Sequence, residues 1–82
     1  MQWVTVSHSV RGDGVTSVTF DVILPPGRSA VCSVRARNLD FAEVGRVDQE
    51  AGPFRSGSGR VTVDVRTTER AINGDVTGCV LR

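Results

Sequence analysis

The chain has 82 residues, 39% apolar and 23% charged, with ten basic and nine acidic groups that leave a net charge of +1. This is the composition of one small globular domain, and it excludes a disordered chain and the basic footprint of a nucleic-acid binder. No stretch approaches the roughly 20 apolar residues of a membrane-spanning helix, and an exported chain would carry its targeting segment outside these residues.

All ten basic residues are Arg and 15 residues are Val. Because the arginines scatter from Arg11 to Arg82, this usage resembles that of a high-GC bacterial genome more than a binding adaptation. Strand patterns then follow one another along the chain. In WVTVSHSV, residues Val4, Val6, His8 and Val10 share one face. VTFDVIL groups Val18, Phe20, Val22 and Leu24, and AVCSVRA sets Cys32, Val34 and Ala36 against Ser33, Arg35 and Arg37. A weaker strand, EVGRVDQ, follows the loop NLDFA. RVTVDVRT opposes Val61, Val63 and Val65 to Thr62, Asp64 and Arg66, and DVTGCVL closes the series. Alternation rich in Val and Thr is the mark of half-buried strands.

The segments between are turn chemistry: GDG, PPGRS, GPFRSGSG and TTERAING. Only the last suits a helical turn, with Thr67 or Thr68 as N-cap and Asn73-Gly74 as its close. Six or seven short strands in a chain of this length predict an all-β fold. The expected architecture is a small antiparallel β-sandwich, immunoglobulin- or fibronectin-like, with at most one short helical turn. Residues 1–82 are expected to form that one domain, excised from a longer protein.

The first hairpin invites a register. A loop of Gly12, Asp13 and Gly14 sets Val4 opposite Val22, Val6 opposite Phe20 and His8 opposite Val18, which keeps the apolar set on one face. It also asks for a positive φ at Gly14. The tripeptide Arg11-Gly12-Asp13 matches a motif of integrin ligands, but turn geometry already accounts for its composition.

Candidate chemistry is sparse. His8 is the only histidine, and among valines on an inward face it reads as structural, with no nucleophile and acid grouped around it. Two cysteines 47 positions apart lack the short spacings of a zinc site. The glycines of GDG and GSG do not lie between a strand and a helix, so no phosphate cradle is implied. No catalytic residue, metal or cofactor is therefore expected. Arg35, Arg37 and Arg66 are expected to pair across strands with acids such as Asp21 and Asp64 rather than to form an anion patch. Trp3 either caps an edge of the core or, with a membrane span before it, sits at the lipid interface.

Cys32 falls on the apolar face of the third strand and Cys79 near the end of the last. Two buried thiols are one reading. A Cys32–Cys79 disulfide is the sharper one, favoured by an even cysteine count in a small all-β chain. Closing so long a loop is worth about 4 kcal/mol in the chain-entropy treatment, and the bond implies an oxidising compartment.

Trp3, VTFDVILPPG, CSVRARNLDFAEVG and the closing AINGDVTGC together resemble the extracytoplasmic part of a small actinobacterial membrane-protein family, the domain of unknown function 4307. The most specific elements are the Cys-x-Val-x-Ala strand, the Val44-Gly45 pair and the terminal Val-x-Gly-Cys. The resemblance implies a single-pass protein whose N-terminal helix tethers this domain outside the membrane. It supplies no catalytic residue. Three readings follow, in order: a non-enzymatic extracytoplasmic binding or scaffolding module for a protein or cell-envelope component, with no nucleic acid; a soluble intracellular interaction domain with free thiols; and an uncharacterised enzyme.

Overall fold

The computed structural model describes residues 1–82 and contains six strands and no helix. They are β1 (Gln2–Val10), β2 (Val15–Ile23), β3 (Ala30–Arg37), β4 (Glu43–Ala51), β5 (Ser58–Arg66) and β6 (Asn73–Leu81). One sheet has the order β1-β2-β5 and the other β4-β3-β6, antiparallel throughout. Two hairpins, β1–β2 and β3–β4, stay within a sheet, while the other connections cross between sheets. This is the Greek-key habit of immunoglobulin-like sandwiches, as expected.

The alternation in β2, β3 and β5 places their side chains as anticipated. Val18, Phe20 and Val22 of β2 are fully buried, as are Cys32, Val34 and Ala36 of β3. Bulky groups from one central strand thus meet small ones from the other, which lets two short sheets interdigitate. Burying each Val or Phe side chain contributes roughly 1.5–3 kcal/mol. The core also takes in Leu24, Val44, Ala51, Val63, Val65, Ala71 and Val76.

The edge strand β1 departs from expectation. His8 does face Val18, but a bulge between Thr5 and Ser7 reverses the strand's first half. Thr5 then faces Phe20 and Trp3 faces Val22, while Val4 faces Asp21 on the outer side. Val4, Val6 and His8 are exposed rather than core. Register is strongly specified only where a face is buried, and β1 is covered on one side alone. There Thr5 Oγ1 accepts a bond from the Val76 amide of β6, 3.2 Å away. That contact uses the inward position the valines were expected to fill.

Two loops also differ. The Gly12-Asp13-Gly14 loop forms, closed by the Arg11 amide on the Val15 carbonyl at 3.1 Å, but the positive φ is at Gly12 (128°) and not at Gly14. The stretch before β6 makes no helical turn. Its amides go to neighbouring segments instead: Thr67 to Gly14 of the first hairpin loop, Thr68 to Val44 of β4 and Ile72 to Arg37 of β3. Buried Ala71 anchors the loop to the core.

The long axis measures 37 Å, so the sandwich has two well-separated ends. The Trp3 end holds the start of β1, the loops 24–29 and 52–57, and the end of β6. The Phe41 end holds the loops 11–14, 38–42 and 67–72.

Gly74 lies at the start of β6 against β2. A Cβ there would stand 2.5 Å from Val18 Cγ2 and 3.3 Å from the Arg35 carbonyl oxygen. Gly74→Ala is expected to destabilise by about 1–3 kcal/mol through overpacking, read as a lower midpoint in urea unfolding at unchanged slope.

Candidate functional site

The two cysteines are brought together. Cys32 and Cys79 are directly opposed on β3 and β6, with Cα atoms 4.0 Å apart and their sulfurs bonded, and no free cysteine remains. Sequence periodicity alone places Val76 and Cys79 on opposite faces. A second bulge, between Ser33 and Val34 of β3, makes Thr77 the extra residue of β6, so both Val76 and Cys79 point inward. The end of the chain is held further by the Arg82 amide on the Ser29 carbonyl, by Arg28 on the Arg82 carbonyl oxygen, and by an Arg82–Glu50 ion pair.

At the Trp3 end a groove of about 470 Å³ crosses the first sheet, lined from β1, β2 and β5 by Val4, Asp21, Ile23, Ser58 and Arg60 among others. Asp21 and Arg60 face each other across β2 and β5 and form a two-pronged pair, Nε to Oδ1 at 2.8 Å and Nη2 to Oδ2 at 3.1 Å. The Arg60 hydrogen bond lowers the Asp21 carboxyl below its ordinary value, and Asp21 raises the guanidinium in turn.

The Phe41 end presents a different surface, which sequence reasoning left as a plain loop. Asn38 organises residues 38–42. Its Oδ1 accepts from the amides of Asp40 at 2.9 Å and Ala42 at 3.0 Å, and its Nδ2 donates to Glu69 at 2.9 Å. Asn side chains that bond the backbone two residues on are common turn formers, and that is the signal available in NLDFA. The turn holds Phe41 at φ 62°, a region bulky residues avoid. Leu39 and Phe41 remain 77% and 67% exposed. The Arg37 guanidinium lies 5.7 Å from the Phe41 ring centre, within cation–π range. Beside this loop a shallow hollow is lined by Asn38, Leu39 and Asp40 together with Glu69, Arg70 and the exposed Ile72.

The other candidate residues stand apart from one another. His8 is exposed and makes no side-chain hydrogen bond, and no three metal-ligating side chains converge. Asp13 of the Arg-Gly-Asp sequence faces Arg70 at 3.5 Å, and its carbonyl accepts from Thr67, so this loop is tied to its neighbour. The expected arginine pairings change partners. Arg35 pairs with Asp75 at 3.1 Å and Asp21 with Arg60, while Asp64 accepts from Ser17. Arg35 thus pairs across strands as expected, though with a different acid, while Arg37 and Arg66 have no ionic partner; with Arg66 on the other sheet, the three form no patch.

Residues 1–79 match the family described as Domain of unknown function (DUF4307). The chain belongs to that family. The match takes in both cysteines, Trp3 and the Asn38 loop. No curated protein and no solved structure matches the chain.

Two outcomes are expected here. Reduction, or the double change Cys32→Ala and Cys79→Ala, is expected to lower Tm by well over 10 °C, from about 4 kcal/mol at roughly 4–8 °C per kcal/mol. The Asp21 carboxyl, followed by NMR, is expected to titrate below the ordinary midpoint of about 3.9 and to return towards it in Arg60→Gln. Its depressed folded-state value means that the pair's support is present above the ordinary carboxylate range and is lost as pH falls through the folded-state midpoint.

Proposed function

We propose that this chain is a non-enzymatic extracytoplasmic binding or scaffolding module of a membrane-anchored bacterial envelope protein. The observation that carries the location is the Cys32–Cys79 bond, which uses every cysteine of the chain. Such bonds persist in oxidising compartments and are rare in a reducing cytosol. The tether is what the family resemblance adds.

The binding role rests on the Phe41 end. A loop that holds an aromatic side chain in a disfavoured backbone region while leaving it in solvent contributes little to the core. Local strain of this kind clusters at sites of recognition. Leu39, Phe41 and Ile72 give that end an apolar centre with a charged rim, the make-up of a small protein-contact surface. Its partner is a protein or another component of the envelope.

The test is the native gene product carrying a tag after Arg82, expressed in its own cell. Protease added to intact cells is expected to remove the tag, and thiol labelling under denaturing conditions is expected to find no free cysteine. A protected tag together with two reactive thiols would replace this reading with the intracellular interaction domain.

A further inference from the structure

Two places in the chain join Asp or Asn directly to glycine, Asp13-Gly14 and Asn73-Gly74. At such a pair the glycine nitrogen can attack the side-chain Cγ and close a five-membered imide, because the second residue has no Cβ to obstruct the approach. In a free chain the Asn pair is the faster of the two, since a neutral amide is attacked more readily than a carboxylate. The fold reverses that order.

Asn73 begins β6 opposite Arg37, and Gly74 follows it opposite Ala36. An extended strand carries the next nitrogen away from the side-chain Cγ. Gly74 is buried against Val18, and Asn73 Oδ1 is buried as well. The bend that ring closure needs is therefore reached only when β6 leaves its sheet. Strands packed on the core open at a free energy close to that of global unfolding.

Asp13 has none of these restraints. It lies between strands in the first hairpin loop, with its side chain 88% exposed. The Gly14 amide makes no backbone hydrogen bond, and open space surrounds its α-carbon. The loop is held through other atoms: the Asp13 carbonyl accepts from Thr67 Oγ1 at 3.2 Å and the Gly14 carbonyl from the Thr67 amide at 3.0 Å. Nitrogen and carboxyl are left free to meet.

We propose that Asp13 is a modification site, at which the folded chain converts aspartate to isoaspartate without an enzyme, while Asn73 is protected. The Gly14 nitrogen bonds to Cγ of the protonated Asp13 carboxyl, and the amide proton and the carboxyl hydroxyl leave as water. Water then reopens the imide. Attack at Cγ breaks the new bond and restores aspartate. Attack at the main-chain carbonyl carbon breaks the original peptide bond and leaves the chain running through Cγ, with no net change in composition. The backbone is then one carbon longer, and the former Asp13 carbonyl, the acceptor of Thr67 Oγ1, has become a carboxylate. The negative charge that Arg70 meets at 3.5 Å is displaced with it. Both neighbours belong to the 67–72 loop, so the Phe41 end changes as the molecule ages. The chemistry is independent of where the chain resides and what it binds.

The folded chain is held at neutral pH and physiological temperature, sampled over time, then reduced, digested with trypsin and separated by chromatography with mass spectrometry. Isoaspartate in the Gly12–Arg28 peptide is expected to accumulate at least about tenfold faster than deamidation in the Ala71–Arg82 peptide. In the reduced chain kept in guanidinium chloride, the order is expected to reverse. Gly14→Ala, whose added Cβ meets no atom within 4 Å, is expected to slow the change at Asp13 severalfold and leave the fold intact. The amide NMR signals of Thr67 and Arg70 are expected to shift in step with the isoaspartate fraction, while that of Ser58, at the opposite end, stays fixed.

Faster reaction at Asn73 than at Asp13 in the folded chain, or the same order folded and unfolded, would overturn the proposal. So would an Asp13 that stays unchanged in the folded chain while it isomerises in the unfolded one, or an equal rate in Gly14→Ala. Unmoved Thr67 and Arg70 signals would overturn the change in the Phe41 end.

Discussion

The apposition of β2 and β3 is the constraint on which the other features depend. Phe20 is the only aromatic side chain wholly inside, and β3 contributes mostly small side chains to the same core, Ala30, Cys32 and Ala36. A core built mainly from valine and alanine is thin, and its sheets approach closely. Gly74 meets Val18 across that gap, and Gly45 of β4 runs against the backbone of Arg66 at the end of β5, where any side chain would collide. A small core of this kind has little stability in reserve. The covalent bond from β3 to β6 ties two neighbouring strands of one sheet at the core face, since Cys32 occupies a place that an aliphatic residue would otherwise fill.

Where burial dictates side-chain direction, the sequence is legible. β3 and β5 alternate, and so does β2 from Val18 onward, because one face of each is pressed into the core. The inward direction of Cys32 is readable from that alternation, whereas that of Cys79 depends on the bulge at Thr77. The errors lie where burial does not decide. β1 is an edge strand whose valines can face solvent at small cost, so a side-chain bond from Thr5 and a bulge at Val6 set its register instead. Arginine partners are likewise settled by strand neighbours across two sheets, and periodicity within a strand cannot reveal which strand lies beside which. The Phe41 loop was legible only as a turn. Its exposed ring depends on bonds from Asn38 to two amides and to Glu69, a residue 31 positions away.

The bulges of β1 and β6 answer a common need. β1 and β6 border the same side of the sandwich, each as the outer strand of its sheet. β1 carries no charged residue from Gln2 to Val10, which leaves it without the usual electrostatic protection against pairing with another chain. A bulge in each strand breaks the regular row of amides and carbonyls such pairing requires. The Val76–Thr5 bond fastens the two interrupted strands to each other. Irregularity here serves solubility as well as side-chain placement.

The position of the cross-strand bond has a mechanical consequence. β6 is an outer strand, and a pull on the chain at Arg82 would ordinarily peel it from its sheet one hydrogen bond at a time. Cys79 lies three residues before Arg82 and is joined to Cys32, the third residue of the central strand. Tension applied there passes through sulfur to β3 before unzipping can advance beyond the last residues. The load is then carried by a strand held on both sides, by β4 and β6, and backed by the core. The sandwich is built to resist traction at its trailing end as a unit.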